Sequence, residues 1–195
     1  LDELVRKCCN DFDFHTLFVE LHNFCAVDLS AFYLDIRKDV LYCDAPDSIR
    51  RRAALTVLDQ LFNCLTAWLA PFICFTAEEA WLARHPEDEG SVHMRQFPDI
   101  PADWKDPALA EKWRKIRSVR RVVTGALEIE RAEKRIGSSL QASPVVHITE
   151  DLVSAFEGLD APEIFITSDV TFTADAAPED AYRIAEQPGV AVVAA

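Results

Sequence analysis

Ten of the 20 lysine and arginine side chains fall in one window, residues 105–135, against five carboxylates, so this stretch carries +5. Residues 1–104 hold 9 basic and 18 acidic side chains, and residues 136–195 hold only Arg183 against 10 acids, so each segment carries −9 within a total of −13. Clustered guanidinium and ammonium groups do the chemistry of phosphate binding, and an acidic remainder limits non-specific sticking. The total charge argues against nucleic acid as a partner; its placement argues for it. A solvated helix face is the alternative that charge alone leaves open. A second basic group, Arg50-Arg51-Arg52, is weaker, because three adjacent residues point in different directions and some must serve packing or ion pairs.

Catalytic chemistry is sparse. Five glycines make no phosphate-binding loop, and neither Cys-x-x-Cys nor His-x-x-x-His spacing occurs. His22 and Cys25 stand one helical turn apart and could supply two metal ligands, but no further pair lies near them in sequence. Cys8-Cys9 beside Arg6-Lys7 could be a reactive pair or incidental neighbours. Ser138-Ser139 after Gly137 lacks the flanking frame of a nucleophile elbow. No base, nucleophile and oxyanion hole assemble, so the residues describe a binding module.

The elements that must position these residues are mostly helical. Phe14, Leu17, Phe18, Leu21, Phe24 and Cys25 recur at helical spacing, with Asp11 and Asp13 as N-cap candidates. Residues 28–42 fit a helix or an extended segment. Pro46-Asp47-Ser48 starts a long helix to about Leu69, whose two apolar stripes place it in the middle of a bundle. Thr76 to Glu79 reads as a capping box for a short helix anchored by Trp81 and Leu82. Residues 85–107, with four prolines, read as an irregular excursion.

The last long helix is expected from Pro107 or Ala108 to Arg135, with Ile116, Val119, Val123, Ala126 and Leu127 on its apolar side. Arg114, Arg117, Arg121, Arg131 and Arg135 then share a sector of roughly 100° beside that side, together with Glu128. After Gly137, residues 144–148 and 163–167 read as strands around a helix at 151–158, a βαβ-like piece; residues 170–173 and 190–193 read as further strands.

At 50% apolar and 27% charged residues over 195 positions, the chain has a core-forming, helix-leaning composition that excludes disorder. No uncharged apolar run of about 18 residues is present, so no membrane span is expected. Six cysteines without framework spacing fit reduced thiols in the cytoplasm. The opening Leu1-Asp2-Glu3-Leu4, without Met or a signal pattern, reads as a cut inside a longer chain.

The stretch from Phe24-Cys25-Ala26-Val27-Asp28-Leu29-Ser30 to Leu34-Asp35-Ile36-Arg37-Lys38 closely resembles the start of the anticodon-binding domain of isoleucyl-tRNA synthetases. Trp68-Leu69-Ala70-Pro71-Phe72 with Phe75-Thr76-Ala77-Glu78-Glu79-Ala80-Trp81 is similar to a pattern shared with the valyl and leucyl enzymes. Glu130 to Arg135 running into Ile136-Gly137-Ser138-Ser139-Leu140 resembles the bacterial isoleucyl family specifically. The resemblance covers essentially the whole chain.

It implies a mainly α fold: a helical anticodon-binding bundle over residues 1–138, then a small α/β junction subdomain over 139–195. The family's catalytic motifs do not occur here, so no catalytic residue is carried over. ATP, magnesium and zinc are implied for a full-length parent and none for this segment. The implied partners are the anticodon arm of isoleucine tRNA and a catalytic domain in the same polypeptide. Expected tRNA-facing residues are Lys112, Arg114, Lys115, Arg117, Arg120, Arg121, Lys134 and Arg135. Phe165, Phe172 and Tyr182 are the aromatic candidates for base stacking, with core placement the alternative. Other readings are a helical protein-interaction scaffold whose basic helix meets an acidic protein, the equivalent domain of a valyl or leucyl enzyme, and a free-standing hydrolase.

Overall fold

A computed structural model describes residues 1–86 and 90–194. The chain is mainly helical, with a small three-stranded sheet. By contact it forms two compact units, Leu1–Trp104 and Lys105–Ala195.

In the first unit, α1 (Asp2–Asp11) and α2 (Phe14–Asn23) pack with α4 (Ile49–Leu69) through Val5, Cys8, Leu17, Leu21, Cys64 and Trp68. Asp13 caps α2 by accepting the Thr16 amide at 3.1 Å, and hydrogen bonds from the Thr16 side chain and then its amide hold the Asp13 carboxyl below the usual range. Only Leu17 and Leu21 of the expected apolar face are buried; Phe14 and Phe18 are exposed.

The ambiguous segment is helical. A π-helical stretch, Phe24–Leu34, continues directly from α2, and α3 (Lys38–Tyr42) follows. The run Phe14–Leu34 is therefore 21 residues long and 11% buried, long and apolar enough by composition to cross a membrane. It is not an uncharged run, because Glu20 and Asp28 interrupt it. Those two carboxylates would be costly at bilayer depth.

Ser48 caps α4 and donates to Asp44 at 2.9 Å. Burial in α4 concentrates in its C-terminal half, with Cys64, Ala67 and Trp68 buried; in the N-terminal half Ala54 is buried but Ile49, Leu55 and Val57 are exposed. Two apolar stripes thus predicted more enclosure than this unit supplies.

The expected capping box is also corrected. Helix α5 (Cys74–Arg84) begins two residues before Thr76 and has no side-chain cap. Glu78 instead accepts the Val92 amide at 2.7 Å and the Ser91 hydroxyl at 3.0 Å, pinning the turn Val92–Met94. Trp81 is the buried anchor, with His85 at 4.0 Å and the Arg95 guanidinium 3.9 Å over its ring; Leu82 is exposed. The irregular excursion contains this turn and a second at Ala102–Trp104; its residues 87–89 lie outside the described residues.

In the second unit, α6 (Pro107–Ala132) packs on a sheet of β1 (Val145–Ile148), β2 (Thr171–Thr173) and β3 (Val190–Val193), in the order β2-β1-β3. Strand β1 runs parallel to β2, with Val145 opposite Thr171, and antiparallel to β3, with Val145 opposite Val193. The crossover from β1 to β2 carries α7 (Glu150–Val153), the turn Ser154–Phe156 and α8 (Ala161–Phe165).

Residues 163–167 are therefore not a strand. Asp160 accepts the Glu163 amide at 3.1 Å and Pro162 lies in the first turn, so the local caps outweigh the β-branched composition. Ile166, at φ 59°, ends that helix in the left-handed region. The core joins Ile116, Val119, Val123 and Leu127 of α6 to Val146, Phe156, Phe165 and Val190.

Candidate nucleic-acid interface

Helix α6 begins where a cap and a proline coincide. Asp106 accepts the Leu109 amide at 2.9 Å, and Pro107 occupies the first position, where its missing N–H is harmless. All five expected apolar residues are buried, and Val122 joins them. The helix closes at Ala132, short of the expected Arg135. Glu133 leaves helical geometry and Lys134 turns left-handed at φ 59°, so Lys134 and Arg135 belong to the exit turn.

The eight expected cations separate by what each touches. Three lean over the core toward the crossover helices. Lys112 donates to the Glu157 carbonyl at 3.2 Å, Lys115 pairs with Asp151 at 2.9 Å, and Arg120 donates through Nε to the Ile164 carbonyl at 2.9 Å. These groups fasten α6 to the rest of its unit.

The outward sector differs. Arg114 pairs with Glu111 at 2.7 Å and Arg131 with Glu128 at 2.6 Å, both exposed pairs one turn apart. Such pairs are weak and exchange readily for another anion. Arg117 is partly buried and also engaged, while Arg121 is exposed. Among the described residues, the side chains of Arg121 and Lys134 have no ion-pair partner. From Arg114 to Arg131 the stripe runs about 26 Å along the helix at about 1.5 Å per residue.

Arg135 sits at the end of the stripe. It is held by Glu130, with one bond at 2.6 Å, and by Glu133. The same pairing raises the Arg135 guanidinium above its ordinary value and lowers the Glu130 carboxyl. Beside this cluster lies a cavity of about 300 Å³ lined by Ala126, Glu130, Arg135, Asp180, Tyr182 and Val192. Tyr182 is bridged to edge strand β3 by paired backbone bonds with Val192, 2.8 and 3.0 Å long. Its ring lies so close to α6 that a Cβ at Gly125 would stand 2.7 Å from the hydroxyl.

Tyr182, one of the three aromatic candidates, lines this cavity, as does Glu130, which was not among the sequence candidates. The available signal was Gly125, a helix-weakening residue in mid-helix that often marks a close approach. Phe165 and Phe172 are core residues, with ring centroids 5.5 and 5.0 Å from that of Phe156. A second cavity of about 290 Å³ lies at the carboxyl ends of β1 and β2, lined by His147, Asp175 and Gly189. Its Arg183 is spent on the carbonyls of Ala177, Pro178, Glu179 and Ala181.

The other sequence candidates resolve structurally. Burial pushes the Cys9 thiol up, and Arg6 and Lys7 pair with Asp2 and Asp11. Burial likewise raises the Cys25 thiol, and the His22 ring packs 5.9 Å from Phe18. Ser138 caps the turn Ser139–Gln141. Of the Arg50–Arg52 group, Arg51 holds the Asp44 carbonyl at 2.8 Å. Among the described residues no group of three or more His, Cys, Asp or Glu could hold a metal ion.

Residues 1–167 match the family described as the anticodon-binding domain of tRNA ligase. The chain is 58% identical over 193 residues to an isoleucine–tRNA ligase of Agrobacterium fabrum, covering 98% of this chain and 20% of that protein. It is 58% identical over 194 residues to an isoleucine–tRNA ligase of Brucella abortus, covering 99% and 20%. One of Bartonella henselae is 51% identical over 193 residues, covering 98% and 20%. The chain thus spans about a fifth of the length of the curated relatives it matches. With a matched family over most of its length and a cationic stripe on a capped helix, this chain belongs to the anticodon-binding domains of tRNA ligases.

Proposed function

We propose that this chain docks the anticodon arm of isoleucine tRNA for a ligase in whose polypeptide it stands beside a catalytic domain. The reading rests on the outward stripe of α6, where Arg114, Arg117, Arg121 and Arg131 share one sector and Lys134 and Arg135 follow at its exit. Exposed guanidinium groups along a rigid helix meet phosphates of an RNA stem and set its register without reading sequence. Fixing the arm this way orients a distant acceptor end for reaction elsewhere, so that remote binding energy serves positioning.

On this reading Lys112, Lys115 and Arg120 support the interface by holding α6 on its unit, while the outward cations touch RNA. ATP and magnesium belong with the catalytic domain and zinc with another part of the parent, and the reaction takes place in the cytoplasm. The relatives named isoleucine–tRNA ligase favour the isoleucine system over the valine or leucine one.

A gel-shift of this chain against isoleucine and valine tRNAs over a salt series tests the proposal. Binding that weakens with salt and prefers isoleucine tRNA is expected. Equal affinity for both tRNAs removes the specificity, and retention of acidic proteins with no retention of tRNA overturns the reading.

A further inference from the structure

We infer that the apolar stripe running along α2 into the π-helical stretch Phe24–Leu34 is a docking surface for the catalytic part of the same parent polypeptide. This rests on the proposed function, which sets such a part beside this chain, and adds the contact that holds the two in register.

The stripe consists of side chains left outside the core of the first unit. Phe14, Phe18 and His22 occupy every fourth position of α2, and Val27, Ala31 and Leu34 carry the line on through the wider π turns. All six are exposed, Phe18 and Val27 at 54%. Aromatic contacts broaden its start: the Phe14 ring lies 5.8 Å from that of Phe72 and 6.1 Å from that of the exposed Phe12. The stretch Phe24–Leu34 is mostly apolar, and none of its residues is buried. A helix that is apolar on all sides belongs inside a larger protein or a bilayer, and an exposed apolar patch that runs along a helix marks an interaction site.

Charge favours protein over lipid as the covering. Glu20 and Asp28 oppose insertion to bilayer depth. Residues 14–34 contain neither Lys nor Arg, the cations by which a surface-lying helix holds anionic lipid, and residues 1–104 carry −9, which such a surface repels. Length then favours the parent as the source. The chain matches 20% of the length of its relatives, so most of such a ligase lies outside it. A stripe this poor in charge suits a permanent contact rather than one that opens and closes. A broad apolar contact also limits relative motion of two domains, which delivery of a distant acceptor end requires.

The test substitutes Phe18→Asp together with Val27→Asp. Both side chains are exposed in this chain, so its melting temperature should stay nearly unchanged. In the full-length ligase that carries the chain, the same pair should lower kcat/KM for tRNA charging roughly tenfold to a hundredfold, the scale of a misplaced substrate. Isoleucine-dependent ATP–pyrophosphate exchange should remain unchanged, and Phe18→Leu with Val27→Ile should restore charging. Hydrogen exchange at the amides of residues 18–31 should be slower in the full-length protein than in this chain. Equal exchange in the two proteins, or full charging by the aspartate variant, overturns the inference. Co-sedimentation of the full-length protein with phosphatidylglycerol vesicles, lost in the aspartate variant, overturns it in favour of lipid. If the unaltered ligase charges no isoleucine tRNA, the proposed function itself fails, and the two failures are told apart.

Discussion

Lys115 Nζ stands 2.9 Å from the Asp151 carboxylate, so a cation that could face RNA closes instead onto the first crossover helix. The Lys115 side chain is mostly covered and that of Asp151 largely exposed. Lys115→Ala is expected to lower stability by no more than about 1 kcal/mol, the range of partly solvated ion pairs. It should leave the salt dependence of tRNA binding unchanged, read by thermal melting and a gel-shift salt series. A reduced slope would show that Lys115 reaches phosphate.

The opposite result is expected of the outward cations. Arg121→Ala with Lys134→Ala should leave the melting temperature nearly unchanged. It should weaken binding to all tRNAs alike and reduce the salt slope by about two, one for each phosphate contact. An unchanged slope would remove these two residues from the interface.

Leu127 is buried at the C-terminal end of the core-facing side of α6. Leu127→Ala should cost about 2–5 kcal/mol through lost burial and the cavity left behind. Denaturant unfolding followed by Trp113 fluorescence, whose ring packs against the same core, measures it. A loss under 1 kcal/mol would mean that the core around α6 collapses readily.

In the first unit, Glu78 holds the Val92 amide and the Ser91 hydroxyl. Glu78→Ala leaves both donors without their carboxylate and should cost about 1–3 kcal/mol. Faster hydrogen exchange at the Val92 amide would locate the loss, and unchanged protection there would show that another acceptor takes over.

The Glu130 carboxyl is held below its usual range chiefly by the hydrogen bond from Arg135. A depressed folded value means that its stabilisation is fully present above the ordinary glutamate value of about 4.3 and is lost as pH falls through the folded value. Melting curves from about pH 7 to about pH 2.5 should show the unaltered chain converging on Glu130→Gln at the acidic end. A constant gap across that range would assign the Glu130 contribution to something other than its charge.

The amino-acid sequence by itself determined where the long helices lie and where the cations concentrate. Local rules suffice for this: Asp106-Pro107 starts α6, the Ile116 to Leu127 spacing defines its buried face, and residues 105–135 hold half the positive charge. The resemblance to anticodon-binding domains was legible for the same reason, since motifs such as Glu130 to Leu140 are contiguous.

What each cation does was decided only by tertiary structure. Lys115 and Arg121 look alike in sequence, yet crossover segments 36 to 45 residues away take up Lys112, Lys115 and Arg120 and leave Arg121 exposed. Residues 163–167 read as a strand by composition, but Asp160 and Pro162 cap them as a helix, and the partner of β1 became Thr171–Thr173. The same holds for the exposed half of α4, where a pattern of apolar residues cannot say whether anything lies against it. Gly125 and Tyr182, 57 positions apart, meet only because β3 returns beside α6. Charge and capping act within a few residues of chain, whereas pairing and cavity formation depend on which distant segments the fold brings together.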